Sequence, residues 1–221
     1  MEPAFWRERW RNGEISFHRP DVHPALAGWW SSCVPDASAA VLVPLCGKSL
    51  DMRWLAARGH GVTGIELEET AVIEFFREWG VAPVAAQRDD GLRQQAGGGV
   101  RLLAGDFFAF RPAGSFEAVY DRAALVALPA AMRRAYLCHL AGCLAVGARG
   151  LLIAFEYVPD GFTGPPFAVE QEEVHDQPWF DVECLERAAA AASYPGLVER
   201  GARDLHEVVY RLERTREPAE P

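Results

Sequence analysis

The sequence predicts an α/β protein: a doubly wound, mostly parallel sheet that closes on an antiparallel C-terminal hairpin. Three observations lead there. Short apolar-rich runs at 39–44, 61–65, 100–103, 116–120 and 150–157 have the pattern of buried strands. Amphipathic segments lie between them, the clearest at 69–79 and 129–144. Polar residues follow the runs at Glu66, at Gly105-Asp106 and at Asp121-Arg122, beyond the strand ends where such sheets bind ligands.

Residues 1–30 carry Phe5-Trp6, Trp10 and Trp29-Trp30, with Phe17-His18 in a loop bracketed by Asn12-Gly13 and Arg19-Pro20. Phe5, Trp6 and Trp10 share a helical face, which serves either packing or burial against a ligand. The run at 39–44 opens the sheet. Residues 49–58 read as a helix with Leu50, Trp54 and Leu55 on one face and Gly59 as its stop. A strand at 61–65, a helix at 69–79 ended by Gly80, and a short strand at 82–84 come next. The stretch 86–99 is polar and glycine-rich and reads as a loop. After the strands at 100–103 and 116–120, the helix at 129–144 leads to the strand at 150–157. DGFTGPPF, 160–167, is a loop, 183–192 a helix, and 197–201 and 207–214 the closing strands. Residues 216–221 form a frayed tail. No repeat or linker divides the chain, so a single domain is expected, with 36–215 as its core.

Composition narrows the partners. The 221 residues are half hydrophobic, enough for one sizeable core. The net charge is −9, and lysine occurs once, at Lys48. Phosphate neutralisation dominates nucleic-acid affinity, so an acidic chain without a basic run points to small-molecule partners and away from nucleic acid. No run reaches the roughly 18 to 20 apolar residues of a membrane helix. The charged, aromatic N-terminus is unlike a secretion signal. Cys33, Cys46, Cys138, Cys143 and Cys184 are odd in number and form no CxxC pair, which suits reduced thiols in the cytoplasm. With no obvious assembly helix, a monomer is expected.

The stretch VLVPLCGKSLDMRWLAARGHGVTGIELEE, 41–69, reads as strand, turn, helix, strand and acidic residue. Its GKS ending resembles half of a phosphate loop. A Walker A loop needs a glycine five residues before Gly47, where Leu42 stands inside the strand. A dinucleotide turn needs G-x-G-x-x-G, and here it offers Pro44, Leu45 and Cys46. A cofactor with ribose and adenine but no phosphate survives. Glu66, nineteen residues after Gly47, is placed for a carboxylate that takes both ribose hydroxyls. S-adenosylmethionine fits, with Gly47 allowing close approach of the turn. Asp106 either caps a turn or joins Gly105 in lining the adenine. Cys46 beside a sulfonium would methylate itself, so it is no nucleophile, and no metal-ligand set is evident.

FWRERWRNGEISFH, the 41–69 stretch, GDFFAF, YDRAALVALP and GPPF, in that order, resemble the bacterial thiopurine S-methyltransferase family from about residue 5 to 214. The resemblance implies a class I methyltransferase fold with a seven-stranded sheet. It implies that Trp10, Leu45, Glu66 and Arg122 contact S-adenosylmethionine or its surroundings and that Gly105 and Asp106 lie near its adenine. It also makes residues 1–35 a cap over the site, which gives Trp10, Phe17 and His18 a role beyond packing. The expected reaction is in-line displacement by the sulfur of an aromatic or heterocyclic thiol. A dry site and alignment of the reacting atoms carry the catalysis. Arg122 is the candidate catalytic residue, holding an anionic substrate or thiolate; its alternative is a salt bridge to Asp121 or Asp106. Phe17, Pro165, Pro166 and Phe167 offer a flat apolar sandwich, although the prolines equally suit loop rigidity. His18 either orients the cap, moves a proton or is structural. Two alternatives stay open: another small nucleophile (a selenium or tellurium species, a small natural thiol, a halide), or a cofactor-binding module without turnover.

Overall fold

Val41, Leu42 and Val43 are buried in β1 (Ala40–Pro44), the strand beside which a parallel sheet is laid. β1 pairs in parallel with β2 (Gly61–Glu66) and β6 (Phe116–Arg122), and β2 pairs in parallel with β5 (Val100–Ala104). A computed structural model describes residues 3–15, 17–88 and 91–215 and gathers the chain into two compact units, Met1–Tyr120 and Asp121–Pro221.

In the first unit, α1 (Pro3–Arg11) and α2 (Pro24–Cys33) precede the sheet, α3 (Asp51–Ala56) links β1 to β2, and α4 (Glu69–Trp79) follows β2. Ala71, Val72, Phe75 and Phe76 form the buried stripe of α4, a helical spacing. Gly80 ends it in the left-handed conformation at φ 72°, as its place in the sequence predicts. Gly64 on β2 has a packing reason. A Cβ there would lie 2.6 Å from both Cys46 Sγ and Leu102 Cδ2 and 2.9 Å from Met52 Sδ.

The stretch expected to be a loop after a short strand is instead a hairpin. β3 (Val84–Gln87) pairs antiparallel with β4 (Arg93–Gly97), and β4 pairs antiparallel with β5. Its polarity misleads because these strands lie at the sheet edge, where β3 is exposed throughout and needs no apolar face. Gly98 and Gly99, at φ 60° and 82°, make the two-residue turn into β5.

The second unit holds α5 (Ala130–Cys143) and an antiparallel sheet in the order β7 (Leu144–Pro159), β9 (Ala202–Arg214), β8 (Phe180–Ala189). Two sequence expectations fail here. The helix expected at 183–192 is largely strand β8: helix formers Leu185, Glu186 and Arg187 yield to pairing with β9, past an irregularity between Cys184 and Glu186. The strand expected at 197–201 is mostly a helical turn, α7 (Pro195–Glu199), begun by the fixed φ of Pro195. A short helix, α6 (Gln171–His175), lies between β7 and β8. Nine strands form among the described residues, two more than the seven that the resemblance implies, and β8 stands where a helix was expected. The expected tail at 216–221 lies outside the described residues.

Candidate active site

At the carboxyl end of β1 the chain enters a turn that few residues tolerate. Leu45 and Gly47 have φ 46° and 53°; for leucine the left-handed region costs about 1–3 kcal/mol. Neighbouring bonds hold it: Cys46 N–H donates to Ile65 O at 3.0 Å, and Ser49 N–H to Cys46 O at 3.2 Å. Cys46 is buried, and burial pushes its thiol well above the ordinary range, so it supplies no thiolate. Lys48 turns its ammonium to Glu74 (2.8 Å) and Glu78 (2.7 Å) on α4, with only 9% of its side chain exposed. The one lysine is a clamp on this turn, not a phosphate ligand.

Glu66 ends β2 and is buried. Its carboxylate accepts Gly47 N–H and Glu68 N–H, each at 2.8 Å, so the turn after β1 and the start of α4 both aim amides at it. Burial pushes its pKa up to about 7, outweighing the pull of those amides toward the charged form. Its main-chain oxygen accepts Gly105 N–H at 2.8 Å, which brings in the end of β5. Gly105 has no room for a Cβ, which would run into Leu92. Asp106 is exposed and caps the short helical turn Phe107–Ala109, accepting Phe108 N–H at 2.9 Å.

The N-terminal segment closes over this turn. Trp10 is buried, its ring 5.7 Å from that of Phe17, while Trp6 stands 5.9 Å from the same phenyl. A Cβ on Gly47 would lie 3.5 Å from the Trp10 indole and 3.8 Å from Phe17, so both rings reach the turn. Arg7 Nε pairs with Glu68 at 3.2 Å and ties α1 to the residues after β2. His18 is half-buried and near Glu78, whose carboxylate is held low chiefly by Lys48. Sequence reading missed Asp51. Buried in the first turn of α3, it accepts His23 N–H (2.8 Å) and the Tyr120 hydroxyl (2.9 Å), joining the N-terminal segment and β6 to the turn. Its only signal was an acid in the first turn of a helix, a place that solvent-facing acids also fill.

In the second unit, Asp121 and half-buried Arg122 end β6, and Ala123 takes the left-handed φ of 65°. Asp121 is buried; its carboxylate accepts the Tyr136 hydroxyl at 2.6 Å and Leu125 N–H at 3.2 Å. Burial raises its pKa to about 6 against those bonds. The GPPF loop is pinned nearby, since Phe167 N–H donates to Val126 O at 2.7 Å. Buried Arg133 donates to Leu128 O, Ala168 O and Glu173, at 2.9, 2.8 and 2.7 Å, and Tyr157 donates to Pro166 O at 2.8 Å. Pro166 and Phe167 stay half-buried within that frame. Nothing in the Arg133-Arg134 pair marks which arginine turns inward. Among the described residues, two of the three non-glycine positions in the left-handed region, Leu45 and Ala123, thus follow strand ends that carry candidate residues.

A family model described as thiopurine S-methyltransferase matches residues 1–215. The chain belongs to that family. It is 43% identical to a thiopurine S-methyltransferase of Pseudomonas putida over 97% of this chain and all of that one. A Bordetella petrii relative of the same name is 41% identical over 97% and 99% of the two chains. Among solved structures, a 1,6-didemethyltoxoflavin-N1-methyltransferase of Burkholderia thailandensis, 17% identical, superposes with a TM-score of 0.64 over 97% of this chain and 87% of that one. A TehB-like methyltransferase of Corynebacterium glutamicum, 14% identical, gives 0.57 over 96% and 98%. The fold is therefore that of the class I methyltransferases.

Members of the thiopurine S-methyltransferase family use S-adenosylmethionine, and this chain is an S-adenosylmethionine-dependent methyltransferase. The donor set around the β1 turn suits that cofactor. A buried carboxylate such as Glu66 can accept from both hydroxyls of a diol, and a cofactor without phosphate needs no cation, which agrees with Lys48 being taken by Glu74 and Glu78.

Proposed function

We propose that the protein methylates the sulfur of aromatic or heterocyclic thiols such as thiopurines, the whole of 1–215 working as one methyltransferase domain capped by 1–35. The observation that carries the donor half is the Glu66 carboxylate, buried and oriented by Gly47 and Glu68 amides. The thiol half is supported by the full-length likeness to relatives named thiopurine S-methyltransferase. S-adenosylmethionine supplies a methyl group on a sulfonium for in-line displacement by the thiol sulfur.

Glu66 takes the ribose hydroxyls; Leu45 and Gly47 form the wall of the turn; Trp10 closes over it; Gly105 and Asp106 lie by the adenine. Phe17, His18, Pro166 and Phe167 receive the acceptor, and Arg122 holds its anionic sulfur. Neutral products form from an anion and a cation, so exclusion of water by these aromatic groups favours the reaction. The net charge of −9 and the single lysine support a small-molecule partner over nucleic acid, and five cysteines without a CxxC pair suit the cytoplasm.

Incubation with methyl-labelled donor and a panel of acceptors tests the reading. Methylation of a thiopurine is expected. Turnover confined to halides or selenium and tellurium oxyanions, or donor binding with no turnover, overturns the thiol assignment. Arg122→Ala should lose most turnover with a smaller change in donor affinity; unchanged kinetics remove Arg122 from the site.

A further inference from the structure

Thr63 stands out as a buried polar group outside the site described above. It is 5% exposed in the middle of β2, and its hydroxyl makes no hydrogen bond among the described residues. The oxygen is not sealed from solvent, so it stays open to water or to a ligand. It opens into a groove of about 210 Å³. The groove is separate from the methyl-donor turn. Side chains alternate along a strand, so Thr63 points away from the face on which a Cβ at Gly64 would meet Met52 of α3. It also lies three residues before Glu66, about 10 Å along β2.

The groove's other walls have a definite chemistry. Arg101, the register partner of Thr63 on β5, is exposed and makes no ion pair among the described residues. Ser115 adds a hydroxyl, and Arg88, 5.9 Å from the centre of the Phe110 ring, adds a second guanidinium. Leu103 and Phe110 supply an apolar side. Glu117, next to this loop, gives its carboxylate to the amide of Ala40 at 2.9 Å, which answers part of its charge. Two guanidinium groups and two hydroxyls line this groove, which suits an oxyanion, and the three terminal oxygens of a phosphate can accept from more of them at once than the two of a carboxylate.

We propose that this groove is a second small-molecule site that takes a phosphomonoester with a small apolar or aromatic body, Arg101 and Thr63 holding the phosphate and Leu103 and Phe110 the body. The methyl-donor site holds no phosphate, so the two sites select different ligands. The inference rests on unit 1 geometry and not on the identity of the methyl acceptor.

Titration of the full-length protein with phenyl phosphate, followed by calorimetry, tests it. Binding is expected both with and without saturating S-adenosylhomocysteine. Arg101→Gln should weaken it by at least about tenfold, the loss of a charge-assisted contact. Thr63→Val, nearly isosteric, should weaken it by about three- to tenfold. Both variants should bind S-adenosylhomocysteine as the wild type does, which controls for folding. Absence of binding, displacement by S-adenosylhomocysteine, or unchanged affinity in both variants overturns the assignment.

Discussion

Cofactor affinity should depend on pH through one carboxyl group, Glu66. Its ordinary pKa of 4.5 is raised to about 7 by burial. The unfolded chain therefore releases this proton near 4.5 and the folded chain near 7. Between those values the folded state holds more protons, so the group's contribution, fully present below 4.5, is lost as pH rises through 7. At about 1.4 kcal/mol for each pH unit, the loss is about 3 kcal/mol in the free protein. Cofactor binding runs the other way, because ribose hydroxyls donate to the ionised form. At pH 6 about one molecule in eleven is ionised, which makes binding about tenfold weaker than at pH 8, with a plateau above. Calorimetry with S-adenosylhomocysteine from pH 5.5 to 8.5 reads this directly. Glu66→Gln should bind about thirtyfold or more weakly at pH 8 and lose the slope. Flat wild-type affinity between pH 6 and 8, or a slope that survives in the variant, refutes the reasoning.

Three further outcomes follow from side chains that brace the site. Lys48→Met strands Glu74 and Glu78 beside a buried stem; with both acids partly exposed, a loss of about 2 kcal/mol and a Tm lower by about 4–8 °C are expected in a thermal melt, with weaker donor binding. An unchanged Tm would remove the clamp. Arg133→Met leaves Leu128 O, Ala168 O and Glu173 without their donor and should cost about 3 kcal/mol or more in denaturant unfolding, while raising the KM for the thiol more than that for the cofactor. Equal changes in both constants would argue against a role through the GPPF loop. Gly64→Ala places a Cβ 2.6 Å from Cys46 and Leu102 and should cost about 1–3 kcal/mol by overpacking, measured from the shift in urea midpoint. A neutral substitution would mean that the strand and the Cys46 turn are not tightly coupled.

Residues with local signatures were legible in the chain. The apolar run of β1, the stripe and glycine stop of α4, and an acid at the end of β2 each follow from backbone periodicity or capping within a few residues. Elements decided by distant partners were not. The segment around Leu185-Glu186-Arg187 has helical character, and only the long strand β9 beside it makes it a strand. The polar 93–97 segment looks like a loop until β5 offers it hydrogen-bond partners.

The site divides in the same way. Sequence alone determined the family and the donor type, and it singled out Leu45, Gly47, Glu66 and Arg122 as candidates, because strand-turn-helix spacing is local and one acid at a strand end has few uses. Tertiary structure alone decided that Lys48 serves Glu74 and Glu78, that Asp51 binds Tyr120, that Asp121 binds Tyr136 and that Arg133 pins the GPPF frame. Their partners lie 15 to 69 residues away, as Tyr136 and Asp51 illustrate. A charged side chain finds its counterpart only when the sheet brings those segments together, so its role is a property of the fold and is not written in its neighbours.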